Sequence, residues 1–129
     1  MNECTEERRR LAEEFMGVRD ILTALGDETR QQILITLLEN EKVGMRVPEI
    51  KESVHLSRPA VSHHLQILKK SGLVSVHKVG TMNFYYIDAK LGNWTLVNNL
   101  VAHINRVLEK AHDAQYPRLT EDEEPKPEN

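Results

Sequence analysis

Apolar residues at Leu11, Phe15, Val18, Leu22 and Leu25 follow one another at intervals of 4, 3, 4 and 3. That spacing predicts a first helix of about 20 residues carrying a heptad-like stripe. Gly26 ends it, and Asp27 is placed to cap a second helix, DETRQQILITLLEN, with Ile33, Leu34, Leu37 and Leu38 turned inward. Gly44 marks a loop. Pro48 suits the first turn of a short third helix with Val47, Ile50 and Val54 inward, and His55-Leu56 leads tightly into Ser57.

The run SRPAVSHHLQILKKSGLV, residues 57–74, is the most informative segment. Ser57 is an N-cap, Pro59 fits a first turn, and Val61, Leu65 and Leu68 share one face at i, i+4, i+7 spacing. Ser62, His63, Gln66, Lys69 and Lys70 occupy the other face, and His64 lies nearer the core side. After Gly72 the period changes: VSVHKV (74–79) and NFYYID (83–88) predict two strands joined at Gly80-Thr81. From about Leu91 a helical period returns through Trp94, Val97, Val101, Ile104, Leu108 and Ala111.

The expected fold is mainly α with a small β-hairpin, a winged helix-turn-helix in the order ααααββα, because two helices joined by about three residues precede the hairpin. One domain is expected over residues 1–116. The segment 117–129 is acidic, proline-bearing and almost without apolar residues, and is expected to be a disordered tail. The two striped helices sit at opposite ends of a small domain that has little room to bury both stripes. Leu11, Phe15, Val18, Leu22, Trp94, Val97, Val101, Ile104 and Leu108 are therefore expected to form a homodimer interface.

Charge changes the picture most. The net charge of −3 argues weakly against a nucleic-acid partner. The average hides a segregation: residues 1–52 hold 8 basic and 12 acidic residues, and residues 88–129 hold 5 and 8. Residues 53–87 hold Arg58, Lys69, Lys70 and Lys78 and no acid. Donors and positive charge without carboxylates are what phosphates and base edges in a major groove require. Cys4 is the only cysteine, so an intramolecular disulfide and a two-cysteine metal knuckle are excluded. No apolar run reaches a membrane span, and the charged stretch Glu3 to Arg10 is unlike a signal peptide, so a cytoplasmic protein is expected and the sequon at Asn93 is read as coincidental.

The runs DETRQQILITLL and VPEIKESVHLSRPAVSHHLQILKKSGLV, followed by a hairpin ending FYYI, resemble the ArsR/SmtB family of prokaryotic winged-helix repressors over roughly residues 18–112. The resemblance implies a homodimer through the first and last helices, an imperfect palindromic operator in promoter DNA, and release by an inducer. Helix geometry together with this likeness assigns Ser62, His63 and Gln66 to base edges, and Ser57, Arg58, Lys69 and Lys70 to phosphates. Lys78 and Thr81 are the wing's candidates for minor-groove or backbone contact. The tip VGTMN departs from the family, whose wings commonly carry more arginine.

The family's metal sites do not carry over. Arg46 and Pro48 stand where paired thiols would lie, and soft metals need thiolates. His103 and His112 are 9 residues apart and point opposite ways on a helix, whereas the family's zinc site needs histidines on one face. Registering His112 on the second of those histidines leaves Asn99, Val101 and Gln115 at the other positions, so no metal is expected. Three effector readings stay open: His103 and His112 of opposite subunits with Glu109 or Asp113, an organic molecule beside Trp94, Phe15 or Met16, or no small effector. With neither phosphate loop nor nucleophile elbow, an enzyme is not expected, and no cofactor. The rival class is a winged-helix protein-interaction module without specific DNA binding.

Overall fold

The computed structural model describes residues 3–90 and 92–115. Six helices and one hairpin follow in order: α1 (Glu3–Gly17), α2 (Arg19–Leu25), α3 (Glu28–Glu39), α4 (Val47–Val54), α5 (Arg58–Lys70), β1 (Ser75–Val79), β2 (Met82–Tyr86) and α6 (Trp94–Gln115). The expected acidic tail, 117–129, lies outside the described residues.

Local chemistry sets most boundaries. Asp27 Oδ2 accepts from the Arg30 amide at 2.9 Å and opens α3. His55 ends α4 in the left-handed region at φ 56, its amide donating to the Lys51 carbonyl. Ser57 Oγ accepts from the Ala60 amide at 3.2 Å and starts α5. That helix closes at Gly72, φ 74, where Leu73 N donates to Leu68 O.

The expected single first helix is two helices. Val18 sits at φ −105, ψ 0, and its amide donates to Phe15 three residues back, so the ladder is interrupted after Gly17. Glycine is a weak helix former, and the break turns Val18, Ile21 and Ala24 into the domain core while α1 runs against α6. The element order is thus αααααββα.

The core is continuous. Ile33, Ile50, Val61, Leu65, Leu68, Leu73 and Leu100 are fully buried where α3, α4, α5 and α6 converge. Leu38 is a correction, exposed at 69 %. Successive residues differ by about 100° around a helix, so the face set by Ile33, Leu34 and Leu37 leaves it outside. On α6 the buried side is Leu100 and Val107, with Val97 and Ile104 packed beside them, while Val101 and Leu108 are exposed.

β1 and β2 pair antiparallel from Ser75↔Tyr86 to Val79↔Met82, leaving a two-residue loop with Gly80 first at φ 61. Met45 adds a bridge to Tyr85 through two backbone bonds of 2.8 and 2.9 Å, fixing the hairpin to the loop before α4. Asn93 and Trp94 lock the hairpin's other root. Asn93 Nδ2 donates to Ser71 O at 2.8 Å and Trp94 Nε1 donates to Leu73 O at 3.0 Å. Among the described residues no helix is long and apolar enough to cross a membrane.

Candidate nucleic-acid interface

α5 is half sunk in the core. Val61, Leu65 and Leu68 are buried and hold one side of it against α3 and α4. The opposite side presents Ser57, Arg58, His63, Gln66, Lys69 and Lys70 as exposed residues, with Ser62 half-buried. A 13-residue helix is about 20 Å long, so Arg58 at one end and the lysine pair at the other span much of a groove crossing. The hairpin tip presents Lys78 and Thr81, both exposed, beside Val79 and Met82.

Electrostatically this face is unpaired. Ion pairs among the described residues include those of Arg10 with Glu6, Lys110 with Glu7, and His64 and His103 with nearby carboxylates. None involves Arg58, Lys69, Lys70 or Lys78, and no acidic side chain occurs between residues 53 and 87. Fixed cations without internal partners are available to displace counterions from a polyanion.

Behind the face lies a polar group that the sequence pattern does not announce. Arg30, from α3, donates through Nε to Ala24 O at 2.8 Å and through Nη2 to Thr23 O at 3.3 Å. Its Nη1 is 3.3 Å from His64 Nδ1, and the Asp27 carboxylate is 4.0 Å from the same nitrogen. Burial pushes the His64 imidazole below its ordinary range, with Arg30 and His63 adding to the effect and Asp27 opposing it. The Arg30 amide holds the Asp27 carboxyl below its usual range. Asp27 and Arg30 stand three apart in the sequence, but their link to His64 is purely tertiary.

The two terminal helices pack together, and their outer sides remain apolar. Leu11, Leu22, Trp94, Val97 and Ile104 pack partly on the core and Val18 is buried within the chain, whereas Phe15, Val101 and Leu108 are 45–59 % exposed. Met16 and Leu96 extend this exposed set. Phe15 and Met16 line an open groove of about 410 Å³ with Arg8, Leu11 and Ala12, and Trp94 is not part of it.

The candidate metal histidines separate. His103 is turned into the α1–α6 contact, its Nδ1 2.6 Å from Glu14 and its Nε2 3.9 Å from Glu7. His112 lies exposed beside a different groove with Asn105, Leu108, Glu109 and Asp113. Among the described residues no group of three or more His, Cys, Asp or Glu is placed to hold a metal ion. Arg46 and Pro48, at the start of α4, offer no soft donor.

Against known proteins, a family model described as bacterial regulatory protein, arsR family, matches residues 27–76, from the cap of α3 into β1. The chain is 45 % identical over 75 residues to the uncharacterized HTH-type transcriptional regulator MJ1325 of Methanocaldococcus jannaschii, covering 58 % of this chain and 82 % of that protein. It is 31 % identical over 83 residues to the transcriptional repressor SdpR of Bacillus subtilis, covering 61 % and 89 %. Among solved structures it is similar to the homodimeric winged helix-turn-helix DNA-binding domain Mb0332 of Mycobacterium bovis, at 25 % identity and a TM-score of 0.55, covering 80 % of this chain and 87 % of that one.

Proposed function

The chain belongs to the arsR family of bacterial regulatory proteins, and from that membership we propose that it is a homodimeric transcriptional repressor that reads a palindromic operator with α5. The observation that carries this reading is the acid-free face of α5, whose cations make no ion pair with a described residue. In this reading Ser62, His63 and Gln66 meet base edges, while Ser57, Arg58, Lys69 and Lys70 hold phosphates. Lys78 and Thr81 bring the wing to the backbone or the minor groove.

The dimer forms through α1 and α6, with exposed Phe15, Val101 and Leu108 at its centre and Leu11, Leu22, Trp94, Val97 and Ile104 behind them. Val18, 4 % exposed, supports the interface from within its own protomer. Likeness to a homodimeric DNA-binding domain supports a homodimer, and likeness to a named repressor supports the sign of regulation. Release of the DNA falls to an unidentified effector, and metal sensing is disfavoured because Arg46 and Pro48 are no thiolates and His103 and His112 do not share a helix face.

The test is a fluorescence-anisotropy titration onto DNA from upstream of its own gene, beside a scrambled fragment, with zinc and with a chelator. Selective binding indifferent to zinc is expected. Binding abolished by zinc would contradict the assignment of the histidines. A folded dimer that binds both fragments equally and weakly would favour the interaction-module reading.

A further inference from the structure

Arg30 occupies the point where α2, α3 and α5 meet. Its fork of donors reaches two elements at once: Nε and Nη2 close on the carbonyls of Ala24 and Thr23, at the C-terminal end of α2, and Nη1 faces His64 Nδ1 in the middle of α5. The last carbonyls of a helix have no partner within it; Arg30 caps that of Ala24 and adds a second donor to that of Thr23, which also accepts from the Gly26 amide at 3.2 Å. The Arg30 amide also donates to Asp27, whose carboxylate lies 4.0 Å from His64. His64 therefore touches both ends of one small network, and its side chain is only 19 % exposed.

Ile33 and Leu37 of α3 and Val61 and Leu65 of α5 are buried in the same apolar cluster. Apolar burial is non-directional and tolerates small rotations of one helix on another. A planar guanidinium is directional. Donation from Arg30 to His64 Nδ1 requires a lone pair there, which the neutral tautomer with its proton on Nε2 supplies. The neighbouring His63 ring meets it edge-on, with centroids 5.6 Å apart and planes at 61°.

We propose that Arg30 and His64 are positioning residues for operator recognition, forming the joint that sets the rotation of α5 on the α2–α3 scaffold. The inference rests on the DNA-binding reading above. Neither side chain meets DNA; their work is to bring Ser62, His63 and Gln66 to the groove in one register. The groups that face His64 are Asp27 and Arg30 from α3 and His63 from its own helix. Protonated His64 would oppose an N–H and a positive charge to Arg30, so acid opens the joint.

The experiment uses the full chain and two duplexes of equal length, one selected by the wild-type protein from a randomised pool and one unselected. His64→Leu removes the acceptor and Arg30→Lys removes the fork, whereas His64→Asn keeps an acceptor near the Nδ1 position. His64→Leu and Arg30→Lys are expected to lower the ratio of selected to unselected affinity by about tenfold, with the salt dependence unchanged. His64→Asn is expected to stay within about twofold of wild type, and its selectivity should vary less with pH below 6.5 than the wild type's. Melting curves confirm that equal folded fractions are compared, and His64→Leu carries the test should Arg30→Lys fail to fold. Wild-type selectivity in His64→Leu would overturn the proposal. So would a reduced salt slope in an Arg30→Gln protein, which loses the charge, because that marks a phosphate contact. A wild-type protein that selects no duplex would overturn the DNA-binding reading, and the joint with it.

Discussion

Replacing both Arg58 and Lys69 with alanine should change how binding responds to salt without harming the fold. Each protomer presents four cations on this face, Arg58, Lys69, Lys70 and Lys78, and none is paired with a described residue. A dimer contacting one phosphate with each would show a slope of log K against log salt near about −7, at roughly −0.9 per phosphate. The double substitution removes four of those contacts per dimer, and the slope should relax to about −3.6. Between 50 and 200 mM salt the wild type would then lose about 10⁴ in affinity and the variant about 10². Stability should change by less than about 0.5 kcal/mol, because both side chains are exposed and unpartnered. The assay is anisotropy across a salt series on selected and unselected duplexes, and both should weaken by the same factor. A slope left at the wild-type value would show that these cations do not meet phosphates.

Gln66→Ala should instead relax preference at one base position per half-site, costing about 1–3 kcal/mol there, as read by binding to a panel of single-base variants. Gly72→Ala should lower stability by more than about 2 kcal/mol, since the backbone is at φ 74 and the added methyl would run into Asn93. Gly80→Ala, at φ 61 with open space around it, should cost only about 1 kcal/mol, both glycine variants being compared with wild type by denaturant unfolding. Leu100→Ala should cost about 2–5 kcal/mol in the monomer core. Leu108→Ala, 59 % exposed, should leave the core intact and raise the dimer dissociation constant measured by sedimentation. Acid should destabilise the fold in two steps. His64 is depressed from 6.5, so its contribution is full above that pH and is lost as pH falls toward its lowered value. Asp27 is depressed from 3.8, so its contribution persists above that pH and goes as pH falls further; His64→Asn should remove the first step from a pH–stability curve.

Short-range chemistry was readable in the chain and long-range geometry was not. The caps at Asp27 and Ser57, the glycine stop at Gly72 and the hairpin loop at Gly80-Thr81 each depend on residues within five positions of one another. The exposed face of α5 followed from the same reasoning, since Val61, Leu65 and Leu68 alone decide which side is buried. On α6 the apolar residues serve two surfaces, so a single stripe through Val101 and Leu108 passes over Leu100 and Val107, which take the core. The heptad through Leu11 to Leu25 runs unbroken across Gly17 because Leu11 of α1 and Leu22 and Leu25 of α2 all pack on the core, and only the backbone at Val18 reveals the break. Arg30 and His64, 34 residues apart, and Asn93 and Ser71, 22 apart, meet only once the helices have packed.

In the proposed function two copies of α5 read two half-sites, a spacing that hydroxyl-radical footprinting on the selected duplex resolves. Two protected windows are expected on one face of the DNA, about 34 Å or one helical turn apart, both lost together in the Arg58→Ala/Lys69→Ala protein. A single window, or uniform weak protection along the duplex, would contradict that reading.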